Sequence, residues 1–398
     1  MNKPAHRIEV LEESQTIAMA KASRQLKAQG IDVISLSFGE PDFKTPQHIR
    51  DAAKKFLDEG YVYYTPVAGI PELRKAISEK FLRENNLTLA PEQVMVSTGA
   101  KHSLMNLILT LVEVGDEVII PTPYWVSYSE MVKLAEGVSV FVSGAAYNQF
   151  KITAEQLENA ITPKTRVLLF SSPCNPTGSV YSKDELHAFA KVLAKYPRVY
   201  VIADEIYEHI NYVSKHETIA QFEEVKDRVV VVNGVSKAFA MTGWRLGYMG
   251  GPKWIIDACD KLQSQFTSGT NAIAQHAAIA ALNSPMEATH AMSREFKERR
   301  DTVYERLNSI NGLKTNLPDG AFYFFPEVTY FFGKKTPDGA VINNSEDLCM
   351  YLLHSAHVAV VPGSAFGAEG FIRLSYAASV EDLQKAVDRM QIALAKLI

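Results

Sequence analysis

The sequence is poor in cysteine and has no strong excess of charge. Only 3 of its 398 residues are cysteine, and Cys174, Cys259 and Cys349 are too widely spaced for a metal-binding motif. The odd count also argues against a disulfide framework. The formal net charge is -4, so the composition gives no reason to expect binding to nucleic acid or to an anionic membrane.

Long hydrophobic runs are missing as well. No run reaches the roughly 20 apolar residues that span a bilayer, and the start of the chain, Met1 to Arg7, lacks the apolar core of a secretory signal. We therefore predict a cytoplasmic protein without membrane contact. The composition, 47% hydrophobic and 22% charged, is typical of globular proteins, and the length allows more than one structural unit.

Strand-like and helix-like segments alternate between residues 46 and 285. Several strand candidates are continuous apolar runs, as expected for strands that are covered on both faces. This alternation predicts an α/β fold with a doubly wound, mostly parallel sheet. The strand candidates are Val94–Ser97, Val118–Ile120, Val138–Phe141, Val167–Phe170, Val199–Ala203, Val229–Asn233 and Leu246–Gly250.

The two ends of the chain have a different pattern. An amphipathic helix is predicted from about Glu12 to Gln29, and a long charged helix from about Pro285 to Ile310. Short strands (Ala321–Phe325, Val358–Val361, Phe371–Leu374) and helices (Ser345–Ser355, Ser379–Leu397) are predicted after it. We therefore predict a large domain of residues 46–285 and a smaller α+β domain of residues 1–45 plus 286–398.

Three polar residues come at or just after the ends of predicted strands. Asn175 lies in a Ser-Pro-Cys-Asn-Pro-Thr-Gly segment, Asp204 ends a Val-Tyr-Val-Ile-Ala run, and Lys237 follows Asn-Gly-Val-Ser. Ligands gather at the carboxyl ends of strands in such sheets, so these positions predict a binding site. Taken alone, Asp204 also suits a helix N-cap and Asn175 suits a turn.

An amine, a carboxylate, an amide and an arginine in this order fit pyridoxal 5'-phosphate (PLP). The Lys237 amine can form a Schiff base with the aldehyde, and Asp204 can keep the pyridine nitrogen protonated so that the ring accepts electrons. Apolar neighbours such as Phe239 and Trp244 would lower the lysine pKa. Ser236 and Arg245 can hold the phosphate, and Tyr207 can reach the phenolate oxygen.

Other candidates depend on context. The segment Ser97–His102 follows a strand and opens a helix, whose amino end favours an anion. Lys101 is electrostatically misplaced there unless an anion lies opposite it. Trp125 fits core packing or stacking on a flat ring. Arg373, a charge inside an apolar strand, needs either a structural salt bridge or a substrate carboxylate.

Together these segments resemble the class I aspartate aminotransferase family of PLP-dependent, fold-type I enzymes, over nearly the whole chain. The run from Ser236 to Gly247 is the most specific part of the resemblance. It implies that Lys237 is the Schiff-base lysine and general acid–base, and that Asp204 is the partner of the pyridinium. The roles that it implies for other residues are phosphate contacts (Gly99, Ala100, Ser236, Arg245), phenolate contacts (Asn175, Tyr207), ring stacking (Trp125), the α-carboxylate ligand (Arg373) and a mobile loop that closes on substrate (Gly39).

Two further features refine the resemblance. Tyr64 is similar to a family tyrosine that reaches the phosphate of the neighbouring subunit, which implies a homodimer with shared active sites. In one branch of the family, an arginine of the partner subunit, in the segment after the Arg245 helix, binds the distal carboxylate of the substrate. Residues 266–272 of this chain, which correspond to that segment, contain no arginine. The chain is more similar to a bacterial subgroup that uses a lysine, matched here by Lys101, with hydroxyls matched by Ser14 and Thr16.

The sequence therefore predicts transamination of L-aspartate with 2-oxoglutarate, which gives oxaloacetate and L-glutamate. An aminotransferase for aromatic, alanine-type or prephenate substrates is the first alternative. A PLP-dependent lyase and a PLP-binding regulator are two more, although no spare N-terminal DNA-binding module is apparent in the sequence.

Overall fold

The computed structural model of the protein describes residues 3–213 and 215–398. The strands of these residues are, in chain order, β1 (Ile34–Ser35), β2 (Val94–Ser97), β3 (Glu117–Thr122), β4 (Val138–Ser143), β5 (Thr165–Ser171), β6 (Tyr200–Asp204), β7 (Val229–Gly234), β8 (Gly247–Gly250), β9 (Tyr323–Phe324), β10 (Val358–Ala359), β11 (Val361–Pro362) and β12 (Ile372–Ser375).

The helices include one of 22 residues, Glu287–Asn308, and several that begin with a recognisable cap. At the start of the helix Lys183–Ala194, for example, Ser182 and Glu185 form a reciprocal capping box. The helices of the described residues are α1 (His6–Glu9), α2 (Gln15–Ala28), α3 (Gln47–Asp58), α4 (Pro71–Asn85), α5 (Ala100–Leu111), α6 (Ser127–Leu134), α7 (Ala154–Ala160), α8 (Lys183–Ala194), α9 (Lys253–Phe266), α10 (Ala272–Asn283), α11 (Glu287–Asn308), α12 (Ser345–Tyr351) and α13 (Val380–Leu394).

A seven-stranded sheet forms the centre of the protein. Its strand order is β2-β8-β7-β6-β5-β3-β4, and only β8 runs against the other six strands. Helices cover both faces. In β7, Val229 and Val231 pack into a core with α3, α4, α8 and α10, whereas Val230 and Val232 pack into a core with α5, α6 and α9. The predicted α/β fold with a doubly wound, mostly parallel sheet is confirmed.

Both ends of the chain share a second core. Strand β1 pairs with β10, and β9, β11 and β12 form a separate three-stranded sheet. These short strands pack with residues of α2, α11, α12 and α13. No helix of the described residues has the length and hydrophobicity to cross a membrane. The separate sheets and cores support the domain division predicted above, which we carry forward as a proposal.

Several predicted boundaries were wrong. The predicted strand Val358–Val361 is two short strands, β10 and β11, which pair in different sheets. The predicted helix Ser345–Ser355 ends earlier as an α-helix and continues as a π-helical turn, Leu352–Ala356. The short helix α1 was not predicted. Apolar periodicity does not show where a strand changes its pairing partner or where an α-helix becomes π-helical. Such boundaries therefore cannot be predicted from the sequence pattern.

Candidate active site

The candidate residues meet at one edge of the large sheet. Strands β2, β3, β5, β6 and β7 all end at this edge, because they run in the same direction. Strand β8 runs the other way, so its amino end lies there too and brings Arg245 beside the end of β2. This topology explains how segments distant in sequence contribute to one site.

A cleft of about 340 Å³ lies at this edge. Most of the residues that the sequence analysis singled out line it. They are Ser14, Thr16, Gly39, Ala100, Lys101, Trp125, Asn175, Asp204, Tyr207, Ser236, Lys237, Arg245 and Arg373. The structure also adds residues to the cleft lining that the sequence analysis did not single out, among them Tyr128 and Tyr323.

One end of the cleft has the features of an anion-binding site. The amino end of α5, at Ala100, carries N–H groups without intrahelical acceptors. Gly99 precedes it with φ +86°, and a Cβ there would lie 2.5 Å from a guanidinium nitrogen of Arg245. A Cβ on Gly247 would likewise collide with the backbone of Ala100. The two glycines therefore let the arginine and the helix end approach each other, and Ser236 lines the same cleft.

Lys237 lies partly buried in the cleft, without an ion pair to any residue that the structure describes. Its Nζ donates a hydrogen bond to the backbone oxygen of Gly39. Burial lowers the pKa of Lys237 to about 8, with a further contribution from the positive charges of Arg373 and Arg245. A substantial fraction of the amine is therefore neutral near pH 8, as a nucleophile or a base requires.

Asp204 is the last residue of β6 and is buried. Burial raises its pKa to about 6, although hydrogen bonds from the Tyr128 hydroxyl and the Ile206 N–H favour the charged form. Tyr128 Oη lies 2.7 Å from the carboxylate. The N-cap alternative does not apply, because turns rather than a helix follow Asp204. Tyr128, which lies in α6 three residues after Trp125, was not singled out from the sequence.

Tyr207 meets a second tyrosine at the base of the cleft. Its hydroxyl lies 2.7 Å from the hydroxyl of Tyr323, and burial, followed by the influence of Tyr323, raises the Tyr207 pKa well above its usual value. A Cβ on Gly39 would collide with the Tyr323 hydroxyl. Tyr323 escaped the sequence analysis because an aromatic residue in a short apolar strand is usual in a protein core.

Arg373 lies in β12 and is only 2% exposed. It donates hydrogen bonds to Asn175 Oδ1 (2.9 Å) and to the backbone oxygen of Ser37 (2.6 Å), and its guanidinium lies over the Tyr323 ring. It forms no ion pair with a residue in the described ranges, and its Nε lacks a hydrogen-bond partner. The structural salt bridge considered from the sequence is thus not formed within the described chain.

Lys101 and Trp125 lie together on another wall of the cleft. The ammonium nitrogen is 5.0 Å from the centre of the indole ring. Burial and then the neighbouring charge of Arg245 lower the Lys101 pKa. Ser14 and Thr16 reach this cleft from the start of α2, and the Ser14 side chain makes no capping hydrogen bond with the helix.

Tyr64 is the one candidate far from the cleft of its own chain. It is fully exposed, at 100%, in a segment whose neighbours Tyr61 and Tyr63 are 70% and 73% exposed. The Tyr61 and Tyr63 rings lie 6.3 Å apart, and Tyr64 stands free of the rest of the described chain. The structure of one chain therefore brings together the other candidates and leaves Tyr64 on the surface.

Comparisons with known proteins all indicate the same family, the aminotransferases. Residues 31–390 match the family described as aminotransferase class I and II. The aspartate aminotransferase of Rhizobium meliloti is 46% identical over 99% of this chain and 97% of its own. A Petunia hybrida protein named bifunctional aspartate aminotransferase and glutamate/aspartate-prephenate aminotransferase is 47% identical over 98% of this chain and 82% of its own.

Solved structures agree with the sequence matches. The crystal structure of the Rhizobium meliloti enzyme superimposes with a TM-score of 0.97, with 45% identity and complete coverage of both chains. The Thermus thermophilus aspartate aminotransferase with maleate gives a TM-score of 0.93 at 41% identity, covering 99% of this chain and 100% of that one. The protein therefore belongs to the class I and II aminotransferases, a family of PLP-dependent enzymes.

Proposed function

We propose that the protein transfers the amino group of L-aspartate to 2-oxoglutarate, giving oxaloacetate and L-glutamate. The observation that carries this proposal is the placement of two cations, Arg373 and Lys101, in the cleft that also contains the Lys237 amine. Neither cation has an acidic partner within the described chain. A dicarboxylic amino acid would supply one carboxylate to each of them.

The cleft fits PLP on its own geometry. The close approach of Arg245 to the start of α5, which only glycine at residues 99 and 247 permits, suits a phosphate. Asp204, Tyr207 and Asn175 would hold the ring, and Lys237 would carry the aldehyde. Once bound, the cofactor supplies an electron sink for the bond that breaks at the substrate Cα.

Lys237 handles the proton in this proposal. With a pKa of about 8, its amine would accept the proton from the substrate Cα and would serve as the proton donor in the reverse direction. The Gly39 carbonyl, which accepts a hydrogen bond from Lys237 Nζ, keeps this amine within the cleft. Tyr128 holds Asp204 in place, so the carboxylate can face the ring nitrogen.

Arg373 binds the α-carboxylate and Lys101 the distal carboxylate, as the lysine-using subgroup would. Arg373 is already oriented by Asn175 and Ser37, so little side-chain freedom is lost on binding. Ser14 and Thr16 add hydroxyls near Lys101. Trp125, which Lys101 contacts, covers the ring and limits the space for the substrate side chain.

The named relatives support a dicarboxylic substrate. The Thermus thermophilus enzyme was solved with maleate, a dicarboxylate. The Petunia protein is named for both aspartate and prephenate activity, and prephenate also carries two carboxylates. Prephenate amination is therefore the second candidate, and it uses the same two cations.

Absorbance spectra of the purified, PLP-loaded protein test the proposal. Low concentrations of L-aspartate should convert the absorption of the bound aldehyde to that of the amine form, and 2-oxoglutarate should restore it. Conversion by L-phenylalanine alone would contradict the role of Lys101 and favour an aromatic substrate. The same cycle with L-glutamate and prephenate would establish the second activity.

We further propose a homodimer whose two sites each use Tyr64 of the other subunit. The exposed run Tyr61–Tyr64 is unusual for a surface that remains in water and supports an interface. Sedimentation at micromolar protein should show a dimer. Tyr64→Phe should weaken PLP binding without dissociating the dimer. A monomer with full activity would contradict this proposal. Domains of residues 46–285 and 1–45 plus 286–398, and a cytoplasmic location, also remain proposals.

A further inference from the structure

A second cavity, of about 600 Å³, lies apart from the active-site cleft. Its walls come from the end of α4, from the segment that follows β6, and from the first half of α11. Among the described residues, none that lines this cavity also lines the cleft. Binding in this cavity is therefore independent of the reaction proposed above, because it uses different side chains.

The floor of this cavity is a set of mutually paired buried charges. Lys80 is fully buried and forms an ion pair with Glu208, while Asn85 accepts from Lys80 (2.8 Å) and donates to Glu208 (2.9 Å). His209 lies between Glu84 (2.9 Å) and Glu208 (3.4 Å). The lysine ammonium thus takes the place that a metal cation would need. The charge of the cavity is therefore determined by its rim.

The rim is cationic. His290, Arg294 and Lys297 line the cavity from positions i, i+4 and i+7 of α11, so they share one face of that helix. Lys297 also pairs with Asp301 (2.9 Å), whereas the side chains of His290 and Arg294 have no polar partner in the described chain. Arg83 also lines the cavity; it donates to the Leu282 carbonyl (3.0 Å) and pairs with Glu84.

His216 adds a buried donor to the same cavity. Its side chain is 7% exposed, and its Nε2 lies 2.8 Å from Glu205. Burial lowers the pKa of His216, but the facing Glu205 carboxylate outweighs burial and raises it overall. The protonated ring then carries a second N–H at Nδ1, which has no hydrogen-bond partner among the described residues. An anionic ligand would satisfy this donor.

We propose that this cavity is a second ligand site, for a small polyanion with more than one phosphate-like group. The basic side chains from His290 to Lys297 extend over roughly 10 Å of helix, at about 1.5 Å per residue. A diphosphate group can contact side chains along the whole of that stretch at once. The carboxylates of the floor are already engaged by Lys80, Asn85 and His209, and the rim with His216 provides the donors.

Binding of pyrophosphate to the PLP-loaded enzyme tests this proposal by isothermal titration calorimetry. PLP loading keeps the probe away from the cofactor phosphate site. We expect pyrophosphate to bind with one site per chain, and inorganic phosphate to bind at least about tenfold more weakly, since it can use only part of the rim.

Arg294→Gln should weaken pyrophosphate binding by about tenfold. The matched control is Arg198→Gln, which removes the same charge from an exposed position outside the cavity and should leave binding unchanged. Both arginines are exposed, so neither variant is expected to unfold. Absence of pyrophosphate binding at millimolar concentration, or equal weakening by the two substitutions, would overturn the proposed site. A loss of amino-group transfer with intact pyrophosphate binding would contradict only the proposed function.

Discussion

Two lysines, one fully and one partly buried, show how surroundings decide what a charged side chain does. Lys80 is fully buried, and Glu208, Glu84 and Asn85 surround its ammonium group. Lys237 is partly buried, its Nζ donates to a backbone carbonyl, and it forms no ion pair within the described chain; its pKa falls to about 8. Carboxylates around a buried amine satisfy its charge, whereas an amine without an ion pair in a desolvated cleft loses its proton more easily.

The carboxyl groups near these lysines also differ, in the direction in which their pKa values are shifted. Asp204 and Glu208 lie four residues apart in one segment, and both are buried. Burial raises the pKa of Asp204 to about 6. At Glu208 burial is outweighed by Lys80 and by His209, which hold the pKa well below its usual range. The segment therefore places Asp204, a carboxyl group with a raised pKa, in the cleft, and Glu208, which is ion-paired with Lys80, in the second cavity.

The largest expected effect is on catalysis, at Lys237, which forms no ion pair within the described chain. Lys237→Ala should lower amino-group transfer by about 10⁴-fold or more, because the general base and the Schiff-base amine are both removed. Single-turnover kinetics with L-aspartate would measure this loss. PLP should still bind through the phosphate contacts, which an absorbance titration would show. Residual turnover within about tenfold of the wild type would exclude Lys237 as the base.

Removing the paired lysine should instead act on folding. Lys80→Met should lower the free energy of unfolding by about 3–5 kcal/mol, because it leaves the Glu208 carboxylate buried without its partner. Urea denaturation of the cofactor-free protein would measure the change. Lys75→Met is the matched control, since Lys75 is exposed and pairs with Glu79 across 3.8 Å on the surface; it should change stability by less than about 1 kcal/mol.

The two carboxylates should be distinguishable by pH. Since the folded pKa of Asp204 lies near 6 and the usual value is 3.8, its contribution to stability is present below pH 3.8 and is lost as the pH rises through 6. That loss amounts to about 3 kcal/mol in the cofactor-free protein. The difference in unfolding free energy between wild type and Asp204→Asn, measured from pH 4 to 7, should follow this trend. A difference that is constant with pH would show that Asp204 is not perturbed.

The smallest effect concerns substrate choice. Lys101→Ala should lower kcat/KM for L-aspartate by about tenfold to a hundredfold, since one charge-assisted contact is lost. For L-phenylalanine, which has no distal carboxylate, kcat/KM should change much less. Steady-state kinetics with both substrates would measure the ratio. Equal losses would mean that Lys101 acts on the cofactor rather than on the substrate side chain.

The sequence predicted the part of the site that lies at the ends of strands. Continuous apolar runs specified the strands, and the polar residues after them had to lie at one edge of a parallel sheet. Tyr128 and Tyr323 were missed because a buried tyrosine looks the same in a sequence whether its hydroxyl reaches Asp204, Tyr207 or a core carbonyl. The antiparallel course of β8, which delivers Arg245, was also not predicted.

The sequence by itself thus determined the fold class, the family and the order of the site segments along the chain, because these depend on local periodicity and on short motifs. Only the tertiary structure decided which charges are paired. Glu208, which pairs with Lys80, and Gly39, which accepts a hydrogen bond from Lys237, each lie more than a hundred positions away from the lysine that they contact. Electrostatic environment depends on distance in space, and local sequence does not encode it.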